Sequence, residues 1–239
     1  SPEQKIVAVN YEQSRGREGP ANILKGYTGY IQTDGYEVYK SIAKENPDII
    51  HVGCMAHFRR YFKDALDNYK EKAGYILEQI QLLYDIEQSF RDENTTIANR
   101  LAVRKILSQP ILEHIHSKMV EYSLTAIPKS TLGKAITYGL NNWTAIEKYI
   151  TNGRLEIDNN LIENKIRPIA LGRKNFIFIG SHDAAVRIAA IYTIMGTCKA
   201  NDVNPSDYLD WLLPKINDIK ITELHLYTPM DYKKLFPNS

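Results

Sequence analysis

Two carboxylates far apart in the chain have the right neighbours for metal-assisted chemistry on a phosphate ester. Asp34 ends the apolar, β-prone run Tyr30-Ile31-Gln32-Thr33 and precedes Gly35. Glu163 lies in Asp158-Asn159-Asn160-Leu161-Ile162-Glu163-Asn164-Lys165-Ile166-Arg167, which reads as a helix start with a glutamate one turn in. A carboxylate at the carboxyl end of a strand is where α/β folds place ligands. Mg²⁺ takes oxygen ligands and keeps several waters, so one or two carboxylates per ion suffice. Each residue also has a plainer reading. Asp-Gly is a turn dipeptide, and Glu163 with Arg167 is a helix pair at i, i+4. Asn159, Glu163 and Arg167 share one helical face, and either Asp158 or Asn159 can cap a helix beginning near Asn160. Leu161, Ile162 and Ile166 predict that this helix packs on a core, which would turn its acidic face into a cleft.

Cys54-Met55-Ala56-His57 has the spacing of half a zinc site, which needs a second ligand pair. Cys198 is isolated, and His114-Ile115-His116 puts its histidines on different helix faces. Two other readings stand beside zinc: a strand-to-helix junction with packed side chains, or a His57 that faces the carboxylates and orients substrate or water. Arg59, Arg60 and Lys63 follow His57, while Lys165, Arg167, Arg173 and Lys174 surround Glu163. These are either phosphate contacts or solvated charged faces.

The elements that must position these residues follow from periodicity. Residues 5–11, 30–33 and 49–53 read as strands, with helices over 21–25 and 36–44 between them. That alternation predicts an α/β sheet. From Ala56 to about Thr151 no strand is legible. Ile76, Ile80, Leu83, Ile86 or Glu87, and Phe90 follow helix spacing, as do Ile111, Ile115 and Met119 between breaks at Pro110 and Pro128. Asn152-Gly153 predicts a left-handed cap. Phe176 to Gly180 is an apolar stretch. A long helix follows to about Ala200, and another carries Tyr208, Leu209, Trp211 and Leu212. Residues 228–239 read as irregular.

Composition narrows the class. In 239 residues, 44% are hydrophobic and 24% charged, ordinary values for a globular chain with a sizeable core. A net charge of +2 excludes a bulk polycation, so nucleic-acid affinity must come from local patches. The 16 tyrosines read mostly as half-buried packing residues. Two cysteines make no disulfide framework and suit a reduced, cytoplasmic setting. No apolar run approaches the roughly 18 residues of a membrane span. The chain opens with Ser1-Pro2-Glu3 and is at once in apolar Ile6-Val7-Ala8-Val9, as a piece of a longer protein would be.

Together the segments Gly29 to Tyr36, Gly53 to Phe62, Asp158 to Pro168, Gly172 to Phe176 and Asn204 to Leu209 resemble the catalytic region of bacterial transposases of the insertion sequence 66 family. The resemblance runs from about residue 5 to about 215 and implies an α/β, ribonuclease-H-like fold with a large all-α insertion. Residues 1–66 would be its first part, 67–152 the helical insertion, 153–215 the part with the glutamate helix, and 216–239 a C-terminal tail. It further implies an Asp-Asp-Glu site that cleaves and joins DNA with Mg²⁺ or Mn²⁺. Asp34 would match the second aspartate and Glu163 the glutamate, both as metal ligands. Cys54, His57, Asn159 and Asn160 would be supporting residues. Arg59, Arg60, Lys165, Arg167, Arg173 and Lys174 would contact DNA. Transposon ends and target DNA, and a second copy of the chain, would be the partners. The family's first aspartate lies on the first strand, upstream of everything here. The expectation is therefore a truncated fold that lacks its first strands, binds metal incompletely and is inactive alone. The rivals are a non-catalytic DNA-binding or assembly domain, a junction-resolving nuclease of the same fold, and a small zinc module.

Overall fold

The computed structural model describes residues 5–14, 16–175 and 180–237, and describes no side chains for 168–171 and 173–175. Its contacts divide the chain into two compact units, one spanning Gly16–Asn160 and the other Ser1–Arg15 with Leu161–Ser239. The architecture is mostly helical with a two-stranded parallel sheet.

In the first unit, α1 (Glu18–Ile23) precedes β1 (Gly29–Gln32), α2 (Glu37–Glu45) and β2 (Ile49–Val52). The strands pair in parallel with Gly29 opposite Ile49 and Gln32 opposite Val52. Parallel neighbours need a crossover connection, which α2 supplies. Then come α3 (Met55–Ala65), α4 (Lys70–Asp92) and α5 (Ile97–Val103), a π-helical turn over Arg104–Ser108, α6 (Gln109–Ser123), α7 (Thr131–Ile146) and a 3₁₀ turn over Glu147–Thr151. Their apolar faces meet in one core. Val52, Phe58, Phe62, Ile76, Ile80, Leu83, Ile115, Met119, Ile136, Trp143 and Tyr149 lie in it, so the sheet rests on the same core as the helical hairpins. In α4 the buried series ends Leu83, Glu87, Phe90, which places a carboxylate in the core. Pro110 does not break the chain. It sits in the first turn of α6, where a missing N–H costs nothing.

The second unit contains α8 (Asn160–Asn175) after its first residue, α9 (His182–Ala200), α10 (Pro205–Leu212), a 3₁₀ turn over Ile221–Leu226 and α11 (Pro229–Leu235). A small core joins Cys198, Val203, Tyr208, Leu212 and Tyr232. Ser181, Asn204 and Thr228 cap α9, α10 and α11 through their side chains.

Four expectations are corrected. Residues 5–11 are not a strand. Instead of a ladder, Val7 N–H donates to Thr197 Oγ1 at 3.2 Å and Val9 N–H to Thr193 Oγ1 at 2.9 Å, and both hydroxyls donate back to the same residues' carbonyls. Threonines one turn apart on α9 thus satisfy an extended segment. Gly153 is not a left-handed cap, because Asn152 is extended (φ −145°) and Gly153 lacks the positive φ that such a cap requires. A glycine is needed there for space: a Cβ would lie 2.0 Å from the Ile97 carbonyl oxygen. Residues 229–235 are helical, not irregular, since Thr228 caps them and Tyr232 is buried against Tyr208 and Trp211. Leu161, Ile162 and Ile166 are 54, 45 and 46% exposed, so the apolar residues around Glu163 do not bury that face of α8. The apolar stretch 176–179 lies outside the described residues.

Candidate functional site

The strand ends of the first unit gather several of the sequence-predicted residues. The ladder extends past β1, where Thr33 N–H donates to the Val52 carbonyl at 3.1 Å, and Thr33 Oγ1 lies 2.8 Å from His51 Nε2. Asp34 follows, exposed, at the carboxyl end of β1. Its Oδ1 accepts from Tyr36 N–H at 3.1 Å, an Asx turn, and its backbone carbonyl accepts from Tyr138 Oη at 3.2 Å. Gly35 takes φ +88°, and a Cβ there would lie 2.7 Å from Tyr138 Oη. The Asp-Gly pair is therefore a turn as well as a strand end. The turn fixes the Asp34 backbone and leaves its carboxylate facing solvent. Burial, and then the Asp34 charge, raise the Tyr39 phenol above its usual range.

After β2, Gly53 N–H donates to the Ala145 carbonyl at 2.8 Å. Cys54 is buried at the N-terminus of α3, and His57 stands one turn further on. Burial pushes the Cys54 thiol up, although backbone N–H groups of Asn159, His57 and Ala56 oppose the shift. A buried, protonated thiol is a poor zinc ligand. Among the described residues, no three of His, Cys, Asp and Glu form a group that could hold a metal ion. Cys54 and His57 thus have the surroundings of a packed strand-to-helix junction.

The segment before α8 closes against this junction. Gln32 Nε2 bridges the carbonyls of Gly53 and Glu156, at 3.2 and 2.8 Å, and Met55 N–H donates to the Ile157 carbonyl at 3.1 Å. Asp158 is buried and accepts three hydrogen bonds. They come from Tyr84 Oη at 2.8 Å, Asn160 Nδ2 at 2.8 Å and Asn160 N–H at 3.0 Å. Burial, then Asp158, holds the Tyr84 hydroxyl protonated far above its usual range. Asp158, not Asn159, supports the start of α8. Asn159 and Asn160 stand beside Cys54 and Asp158 in this unit.

An ion network holds that segment from the other side. Arg104 is 0% exposed and uses all five of its N–H donors. Nε and Nη2 fork onto Glu87 at 2.8 and 2.6 Å; Nη1 donates to the Tyr149 and Asn152 carbonyls at 2.9 and 3.0 Å; Nη2 also donates to the Leu155 carbonyl at 2.8 Å. Arg100 joins Glu87 and Glu156, each at 3.3 Å, and Arg91 reaches Glu156 at 3.4 Å. In sequence Asp158 reads only as a possible helix cap, and Tyr84, Gln32, Tyr138 and the Glu87–Arg104 pair were not singled out. Only Glu87 left a signal, as an acid at a core position of an amphipathic helix.

The remaining candidates are distributed as follows. Arg59 is half-buried on α3 and acts electrostatically on Tyr84, while Arg60 is exposed and acts on Tyr138. Glu163 lies in the second unit, one turn into α8, half-buried, with Lys165 half-buried and Arg167 exposed. The side chains of Arg173 and Lys174 lie outside the described residues.

The chain is similar to known proteins along most of its length. An uncharacterized Sinorhizobium fredii protein, y4qI, is 32% identical over 95% of the chain and 43% of its own length. A second, y4hP, is 30% identical over 95% of the chain and 44% of its own length. A third, y4jD, is 26% identical over 97% of the chain and 47% of its own length. The chain thus spans less than half the length of the curated relatives it matches. No solved structure matches it. The family model described as "Transposase IS66 family" matches residues 1–187, which include the Asp34 turn, the Cys54–His57 junction and the Glu163 helix, and the chain belongs to that family.

Proposed function

We propose that this chain supplies part of the catalytic core of a DNA transposase that cleaves DNA strands and joins them to a target by Asp-Asp-Glu chemistry. The observation that carries the reading is Asp34. It is an exposed carboxylate at the carboxyl end of a parallel strand, with its backbone fixed by the ladder, the Gly35 turn and Tyr138. Family membership supports the same reading. In it the fold is ribonuclease-H-like, residues 1–66 and 153–215 form the α/β part, and 67–152 form a helical insertion.

Asp34 is exposed and offers hard oxygen donors, the kind of ligand Mg²⁺ or Mn²⁺ takes. With Glu163 and a further aspartate it would hold the ions, whose chemistry when bound would be to activate water or a DNA 3′-hydroxyl and to stabilise the leaving oxygen. The chain's own residues do the rest. The Asp158–Tyr84–Asn160 bonds set where α8 begins, three residues before Glu163. Arg59, Arg60, Lys165, Arg167, Arg173 and Lys174 would hold phosphates of transposon ends and target. Cys54 and His57 support the junction. A pair of protein copies would hold two DNA ends, in the cytoplasm. No helix among the described residues is long and apolar enough to cross a membrane.

The experiment is metal-dependent cleavage and strand transfer by the full-length parent protein. Asp34→Asn and Glu163→Gln should each abolish both steps while leaving DNA binding intact, and residues 1–239 alone should be inactive. Full activity of either variant would overturn the catalytic assignment. DNA binding with no cleavage by the wild-type parent would favour a non-catalytic assembly domain.

A further inference from the structure

Beside the Asp34 turn the first unit carries a cleft of about 510 Å³, within the size range of small-ligand pockets. Tyr61 of α3 and Tyr138 of α7 stack in it, with centroids 4.2 Å apart and planes 19° from parallel. Tyr61 remains 39% exposed, so the pair presents aromatic surface to the cleft instead of sealing it. Asn142 lines the same cleft. It is nearly buried, spends its Nδ2 on the Tyr138 carbonyl at 2.7 Å, and its Oδ1 has no hydrogen-bond partner among the described residues. Lys134 is exposed at the rim, and Lys40 pairs with Glu37 at 3.3 Å. Tyr138 Oη holds the Asp34 carbonyl, so the cleft and the candidate catalytic carboxylate share one turn.

We propose that this cleft receives one unpaired nucleotide of a DNA strand, its base stacked on Tyr61 and its phosphate near Lys134. Aromatic faces beside basic side chains bind single strands because every base has a π-face. A duplex keeps its base faces covered by their neighbours, so only an unpaired or extruded base offers one. An apolar peptide would gain little from Lys134, and a free anion would gain nothing from the stacked rings. The inference deepens the transposase reading by placing a strand end beside Asp34. It needs no metal, so it can fail or succeed independently of the Asp34–Glu163 assignment.

The test is binding of residues 1–239 to a fluorescent single-stranded oligothymidylate and to a hairpin duplex, both in EDTA. Tyr61→Ala should weaken single-strand binding by about 5- to 150-fold, the range for losing one base–aromatic stack. It should leave duplex binding within about twofold. Tyr61→Phe should bind like wild type. Lys134→Gln, at an exposed site that folding does not depend on, should lower single-strand affinity and flatten its salt dependence by about one ion. An oligonucleotide carrying 5-iododeoxyuridine should crosslink to Tyr61 or Tyr138. Undiminished single-strand binding by both Tyr61→Ala and Lys134→Gln, an equal loss on duplex, or crosslinks only elsewhere would overturn the proposal.

Discussion

Replacing Arg104 by methionine tests whether the buried ion network holds the segment that leads to α8. Arg104 is 0% and Glu87 1% exposed at their side chains, so water cannot replace the lost partner without opening the core. The substitution removes five hydrogen bonds at once. Among the described residues Glu87 keeps Arg100, at 3.3 Å, and the Tyr149 and Leu155 carbonyls lose a donor. Breaking a buried pair on one side costs about 3–5 kcal/mol, a large share of a typical stability of about 5–15 kcal/mol. At about 2–4 °C per kcal/mol for a chain of this size, the melting temperature should fall by about 6–20 °C. Arg104→Lys should recover little, because an ammonium has three donors and no planar fork. The assay is urea and thermal unfolding followed by circular dichroism. A loss below about 1 kcal/mol for Arg104→Met, the size of an exposed pair, would refute the claim that the network organises this segment.

Other outcomes follow from single contacts. Gly153→Ala puts a Cβ 2.0 Å from the Ile97 carbonyl and should cost about 1–3 kcal/mol in urea unfolding. Tyr84→Phe removes a charge-assisted bond to Asp158 and should cost about 1.5–3 kcal/mol by the same measurement. Burial, then Lys40, lowers the His51 pKa, so the folded state resists a proton that the unfolded chain accepts. This contribution is intact above the unfolded value near pH 6.5 and is lost as pH falls below it. The wild type should therefore lose more stability than His51→Gln between about pH 7.5 and about pH 5. The Cys198 thiol, pushed up to about 11 by burial, and the raised Cys54 thiol should react with a disulfide reagent near neutral pH only after denaturant is added.

What the sequence revealed was mostly periodic or local. The β1 and β2 strands and the helical block follow from alternation and helix spacing. The errors occurred where an apolar or β-branched pattern has more than one physical partner. Val7 and Val9 look like a strand, but threonines of α9, distant in sequence, satisfy their backbone. Gly153 and Asn152 look like a cap, but the glycine is there for the approach of Ile97. In the candidate site, Asp34 stands out because an acid ends an apolar run. Asp158, Tyr84 and Arg104 do not, because buried polar groups are defined by partners 17 to 74 residues away. Asp158 passes for a simple cap in sequence, and its hydrogen bond from Tyr84 shows only in three dimensions.

Whether Asp34 and Glu163 share a metal site is decided most directly by anomalous diffraction from the full-length parent protein crystallised with Mn²⁺. The two carboxylates should lie within about 8 Å of each other, with manganese about 2.1–2.3 Å from an oxygen of each. Manganese bound elsewhere, or carboxylates more than about 16 Å apart with Glu163 turned to solvent, would contradict a shared site.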